Sequence, residues 1–230
     1  DDLRRIDTFP RELIAYLESM MVKRTRPRDI VVRDSIRNGV IVAMAIGGST
    51  NVVLHAPEIA RAAGYENFWR DIITPEEFNH LSQNVIPVIT NARPYGLYSM
   101  VDIDRIGGIP VIASELLDAG LLNGDVMTCT GESLSDQVNR LGNPRADGNI
   151  VYSVESPFKP TGGLRILGGN LSPDFSAVLK LAGVEGGLEN NVFEGRARVF
   201  ERESRLLEAL DKTPDAFENN DIVIVRYEGP

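Results

Sequence analysis

Ala45-Ile46-Gly47-Gly48-Ser49-Thr50-Asn51-Val52-Val53-Leu54-His55 joins two apolar stretches through two glycines and three short polar side chains. Upstream, every residue from Val40 to Ile46 is apolar, and Ile36, Val40, Ala43 and Met44 recur at helical spacing, which predicts a helix over 34–45. Ser, Thr and Asn are helix-starting types, so a second helix is expected from about residue 50 to a stop at Gly64. Pro57 falls inside it and predicts a kink or a restart near Ala56. Glycine lets backbone amides come close to a ligand, and a helix start carries partial positive charge. Gly47, Gly48, Ser49, Thr50 and Asn51 are therefore a candidate site for a carboxylate or phosphate. The same residues suit a plain capped turn between two helices equally well.

Outward from that turn, residues 8–21 read as a helix with Pro10 in its first turn and Leu13, Ile14, Leu17, Met20 and Met21 on one stripe. A basic linker follows over 23–29. Thr74-Pro75-Glu76-Glu77 is a helix start with a Thr cap, an early Pro and a Glu placed for a capping box. Residues 85–89 read as a short buried strand, and 110–117 as a helix ending near Gly120, with Gly107-Gly108 a tight turn before it. Helices alternating with short apolar strands indicate an α/β layer. Residues 141–148, Leu-Gly-Asn-Pro-Arg-Ala-Asp-Gly, change the texture to hydrophilic turns. Beyond them, β-type runs at 150–154, 164–167, 177–181 and 222–225 surround one helix at 203–210. The fold class is thus α/β: the end of an α/β domain over 1–148, then a small β-rich domain over 149–230 with one packed helix.

The chain of 230 residues carries a net charge of −9 and no long basic run, which speaks against nucleic acid as a partner. Its apolar runs are far shorter than a membrane span, and no leader pattern opens it, so a cytoplasmic protein is expected. Cys129 is the one thiol, too few for a disulfide or for a metal cluster held by this stretch alone. It lies in the strand-like run 126–130, where a small buried thiol is expected. His55 reads as an interior histidine and His80 as a surface one. The carboxylates over 201–208 read as a solvated helix face. A homo-oligomer, by default a dimer, is expected. The chain starts without Met and stops at Tyr227-Glu228-Gly229-Pro230, within a loop, so it reads as part of a longer polypeptide.

Several segments in order resemble the dihydroxy-acid dehydratase and phosphogluconate dehydratase family. They are the 45–55 stretch, Arg105-Ile106-Gly107-Gly108-Ile109-Pro110, Gly120-Leu121-Leu122-Asn123-Gly124-Asp125 and Thr128-Cys129-Thr130-Gly131-Glu132-Ser133-Leu134. Pro160-Thr161-Gly162-Gly163-Leu164, Leu167-Gly168-Gly169-Asn170-Leu171-Ser172-Pro173, Ala197-Arg198-Val199-Phe200 and Ile224-Val225-Arg226-Tyr227-Glu228-Gly229-Pro230 continue the series. The resemblance implies dehydration of a small hydroxy-acid substrate, a 2,3-dihydroxy acid or a sugar acid, to a 2-keto acid. It implies an iron–sulfur cluster, 2Fe-2S or 4Fe-4S, as Lewis acid, a magnesium ion, and a deprotonated serine as base. Hydroxide leaves poorly and a C–H bond is weakly acidic, so both need the electrostatic help that metals supply. The resemblance places the cluster ligands, the magnesium ligands and the serine outside this stretch, the serine beyond Pro230. It also implies that the β-rich domain swivels, and that Ser49, Thr50 and Asn51 position substrate oxygens or wall the cluster pocket. Pro94-Tyr95-Gly96 departs from the pattern of the branched-chain enzymes, which leaves the choice of acid open. A non-catalytic relative that binds a hydroxy acid, and a structural subunit, are the alternatives.

Overall fold

A computed structural model describes residues 2–93, 96–180 and 192–228. The chain divides into two compact units, residues 1–183 and 184–230. In the first, the described helices are α1 (Asp2–Lys23), α2 (Pro27–Ile30), α3 (Arg33–Ala45), α4 (Asn51–Ala62), α5 (Phe68–Asp71), α6 (Pro75–His80), α7 (Met100–Arg105), α8 (Ile109–Asp118) and α9 (Leu134–Arg140). An antiparallel hairpin follows, β1 (Leu164–Gly169) and β2 (Ser172–Lys180). The mixed helix and sheet content agrees with the α/β class read from the sequence.

Helix α3 is central because its apolar face repeats at helical spacing: Ile36, Val40, Ile41 and Met44 are all buried. It packs against α4 and α8. Helix α8 is buried over six consecutive residues, Val111 to Leu116, the signature of a helix surrounded on all sides. Ile86, Val88, Ile89, Phe78, Ile103, Val151, Leu164 and Ile166 complete the core. Removing each such aliphatic side chain from water contributes about 1.5–3 kcal/mol.

Polar clasps hold the irregular parts to this core. Buried Asn38 donates through Nδ2 to the Asn123 carbonyl at 2.8 Å and accepts from the Asn123 amide at 3.0 Å. Asn79 does the same for Ile166 of β1, at 2.9 and 2.7 Å. Ser82 is fully buried and donates to the Leu164 carbonyl at 2.6 Å.

Several expectations from the sequence are corrected here. The first helix starts at Asp2, not residue 8, so Pro10 lies inside it, and its expected apolar stripe is exposed at Leu13, Ile14, Leu17 and Met21. Helix α4 continues through Pro57 instead of restarting. Residues 86–89 are buried, Val85 is exposed, and 85–89 form no strand. A π-helical turn, Leu81–Val85, runs into them, and two isolated antiparallel bridges follow, Val88 with Lys159 and Thr90 with Val151. Their backbone partners alternate among Ala45, Ile150 and Lys159, and Pro87 has no amide to donate, so no continuous ladder forms. Cys129 is exposed: a single Met127–Ser133 bridge and a turn at Gly131 make its segment a loop. The Thr74 cap is present, accepting from the Glu77 amide at 3.1 Å, but Glu77 pairs with Arg37 instead of closing a capping box.

In the second unit, β3 (Arg196–Phe200), α10 (Glu203–Lys212) and β4 (Asp221–Val225) form one strand–helix–strand crossover. The strands are parallel, Arg196 beside Asp221 and Phe200 beside Val225. A helical crossover is how two parallel neighbours are usually joined. The expected helix and last strand are found; β3 is an addition. Phe200 stacks on Phe217 at 6.1 Å. No residue of β3, α10 or β4 is buried.

Candidate functional site

Gly47 takes the left-handed conformation, φ +64°, directly after the last turn of α3. Its amide donates to the Met44 carbonyl at 3.0 Å, and the Gly48 amide reaches back to the Ala43 carbonyl at 2.8 Å. These two bonds are the Schellman closure of a helix. A Cβ on Gly48 would stand 2.7 Å from that same Ala43 oxygen, so a side chain there is excluded by the closure itself. Gly107 and Gly108 repeat the pattern after α7, donating to Asp104 at 3.1 Å and Ile103 at 2.9 Å. Both glycine pairs thus spend their amides on stopping a helix.

The start of α4 is closed only in part. Asn51 donates its amide to Ser49 Oγ at 3.2 Å, Val52 to the Ser49 carbonyl at 3.1 Å and Val53 to the Thr50 carbonyl at 3.0 Å. The Ser49 and Thr50 amides have no acceptor among the described residues, so the turn can offer a ligand these two donors together with its side chains. The Thr50 hydroxyl and the Asn51 carboxamide have no hydrogen-bond partner among the described residues, and Ser49 and Asn51 are exposed.

A groove of about 480 Å³ opens beside the turn, between α3 and α4. Ile36, Val40, Val52 and Ile59 make its walls apolar, while Ser49, Asn51 and His55 supply polar groups. Asn51 and His55 are four residues apart and so share one face of α4. His55 is exposed on this groove, which corrects the interior position expected of it. The i,i+4 spacing from Asn51 was the signal that could have placed it. Gly47 faces a separate small space of about 20 Å³ with Thr90 and Lys159, and Gly48 and Thr50 line neither opening. The segment is fixed from below: Thr90 Oγ1 donates to the Ile46 carbonyl at 3.0 Å, and the Ile89 amide to that of Ala45 at 2.8 Å.

Metal-binding chemistry does not fit these residues. Cys129 is the only thiol of the chain and is solvent-exposed. Among the described residues, no three or more His, Cys, Asp or Glu side chains gather where a metal ion could sit. Pro94 and Tyr95, where the sequence departs from the family pattern, and Gly229 and Pro230 lie outside the described residues. No described helix is long and apolar enough to cross a membrane. At the end of the second unit, Glu228 accepts from the Glu203 amide at 3.0 Å, capping the first turn of α10.

Comparison with known proteins gives this arrangement its class. The Dihydroxy-acid/6-phosphogluconate dehydratase N-terminal family matches residues 7–137, and the corresponding C-terminal family matches residues 149–230. The chain belongs to the dihydroxy-acid/6-phosphogluconate dehydratase family. Within it, the chain is 42% identical to the dihydroxy-acid dehydratase of Leifsonia xyli subsp. xyli over 227 residues, covering 99% of the chain and 38% of the relative. It is 41% identical to that of Arthrobacter sp. (99% of the chain, 37% of the relative) and 39% to that of Mycobacterium leprae (99% and 38%). The chain therefore spans under two-fifths of the length of these relatives.

Proposed function

We propose that this chain is part of a hydro-lyase that removes water from a 2,3-dihydroxy acid or a sugar acid to leave a 2-keto acid. The observation that carries the site is the pairing of Ser49 with Asn51 beside His55, at the polar side of an otherwise apolar groove of about 480 Å³. In this reading the Ser49 hydroxyl and the Asn51 carboxamide donate to the oxygens of the acid. Thr50 and the Gly47-Gly48 turn hold the two side chains in place, and Ile36, Val40 and Ile59 keep water from the far end. Relatives named dihydroxy-acid dehydratase support the reaction class.

The base that takes the C2 proton and the ligands of any iron–sulfur cluster or magnesium ion belong, in this proposal, to parts of the polypeptide outside residues 1–230. In this proposal the α/β domain runs to residue 148 and the β-rich domain starts at 149; the change from one family match to the other between residues 137 and 149 supports that division. A cytoplasmic homodimer is the assembly we propose.

Ser49→Ala and Asn51→Ala in the whole enzyme test the site. Each removes one hydrogen bond to a charged acid, about 1.5–3 kcal/mol, and should raise KM roughly ten- to a hundredfold. Unchanged kinetics in both folded variants would overturn the site. Binding of a hydroxy acid that needs Ser49 and Asn51, with no turnover by the whole protein, would replace the enzyme reading by a non-catalytic binding one.

A further inference from the structure

A second opening lies between α8 and α9 and shares no residue with the groove described above. It has a volume of about 280 Å³, roughly nine water volumes. Ser114 of α8 stands on its wall, only 1% exposed, and its hydroxyl has no hydrogen-bond partner. A buried hydroxyl without a partner costs about 1–3 kcal/mol, so such groups are normally met by a neighbour, a water or a ligand. Around it, Ser135, Asn139, Asn143 and Asp125 also line the opening, and none of their side-chain polar atoms has a partner among the described residues. Ser135 and Asn139 lie four residues apart on α9, and Ser114 and Asp118 four apart on α8, so each pair faces the space together.

The chain is built to keep this space open at one edge. Gly124 passes so close to α9 that a Cβ would fall 1.9 Å from Ser135 Oγ, and the Gly124 carbonyl accepts from the Ser135 amide at 2.9 Å. A side chain at residue 124 would force the Ser135 hydroxyl to turn away and crowd Leu117, so glycine there leaves Ser135 Oγ where it is while Asp125 lines the rim.

The charge on the wall selects the ligand. Asp118 is neutralised by its ion pair with Arg145, and Asp125 has no cationic partner. No Lys, Arg or His lines the opening, so an anion would meet an unpaired carboxylate and nothing to balance it. Among the described residues no three or more His, Cys, Asp or Glu side chains gather here, so no all-protein metal cage is formed. Two hydroxyls, two carboxamides and one carboxylate offer donors and acceptors that match vicinal hydroxyl groups. We propose that this cavity is a binding site for a small uncharged polyol of about four or five carbons, with Ser114 at its floor and Asp125 at its mouth.

Calorimetric titration of the whole protein with xylitol tests the proposal, with gluconate as an anionic comparison and magnesium chloride as a cationic one. The expected result is saturable heat with xylitol, none with gluconate, and affinity weakened about five- to tenfold in Ser114→Ala and in Asn139→Ala. Asn139 is exposed, so its variant decides the matter even if Ser114→Ala fails to fold. The proposal is overturned by absent xylitol heat, by unchanged affinity in the folded variants, or by saturable magnesium binding that xylitol does not displace.

Discussion

Alanine at Gly48 and alanine at Gly39 should move stability in opposite directions, though the two lie nine residues apart around the same helix. At Gly48 the new methyl would sit 2.7 Å from the Ala43 carbonyl oxygen, the very atom that accepts the Gly48 amide at 2.8 Å. That oxygen is helix backbone and cannot swing aside as a flexible side chain can. Relief requires breaking the closing bond, about 0.5–1.5 kcal/mol, and shifting the turn, about 1–3 kcal/mol. The expected loss is about 2–4 kcal/mol, or roughly 5–15 °C in melting temperature for a chain of this size. Gly39, inside α3, has nothing within 4 Å of the position its Cβ would take. There alanine should gain about 0.5–1 kcal/mol by restricting the unfolded chain. Thermal unfolding followed by circular dichroism reads both. If Gly48→Ala proves as stable as the parent, the account of the glycine pair as a helix stop fails.

Three further outcomes follow from the contacts. Asn38→Leu should cost about 2–4 kcal/mol, because it strands the Asn123 amide and carbonyl that Asn38 now satisfies; urea midpoints measure it, and a neutral result would contradict the clasp. Thr74→Ala should cost about 1 kcal/mol through the lost cap of α6, while Thr74→Ser should restore most of it, again by urea titration. Burial works against ionisation of Asp147, yet amide donation from Val151, Asn149 and Ile150 prevails and holds its carboxyl below the ordinary range. A depressed folded value means its stabilisation is complete above the unfolded pKa of about 3.9 and is lost as pH falls towards the folded one. Asp147→Asn should therefore flatten stability against pH in that acid window, and an unchanged slope would refute it.

Legibility from sequence tracked how local each determinant was. The α3 stripe, the Thr74 cap and the stop at Gly64 could be read because each depends on neighbours within one or two turns. The strand expected over 85–89 failed for the opposite reason: Ile86, Val88 and Ile89 are buried as anticipated, though Val85 is not, and their backbone partners come from the end of α3 and from residues 150–159. Periodicity cannot report which distant segment supplies an acceptor. Around Cys129 the β-type composition predicts a strand, whereas Gly131 and the Thr128 hydroxyl fold the run into a tight exposed loop. At the candidate site, Ser49 and Asn51 were visible from their types. That the amides of Gly47 and Gly48 are already engaged was not, since a glycine pair looks the same whether it cradles an anion or ends a helix.

The crossover of β3, α10 and β4 carries a consequence for dissection of the protein. Parallel strands ordinarily survive only with both sides of the sheet shielded, and a two-stranded ribbon is marginal even then. Here Val199, Val223, Leu207 and Leu210 are all in contact with solvent, and no apolar residue of the three elements is buried. Excised and expressed by itself, residues 192–228 should give the amide spectrum of a random coil and be digested at once by trypsin. A spectrum with clear sheet and helix signals, or resistance to trypsin, would refute this.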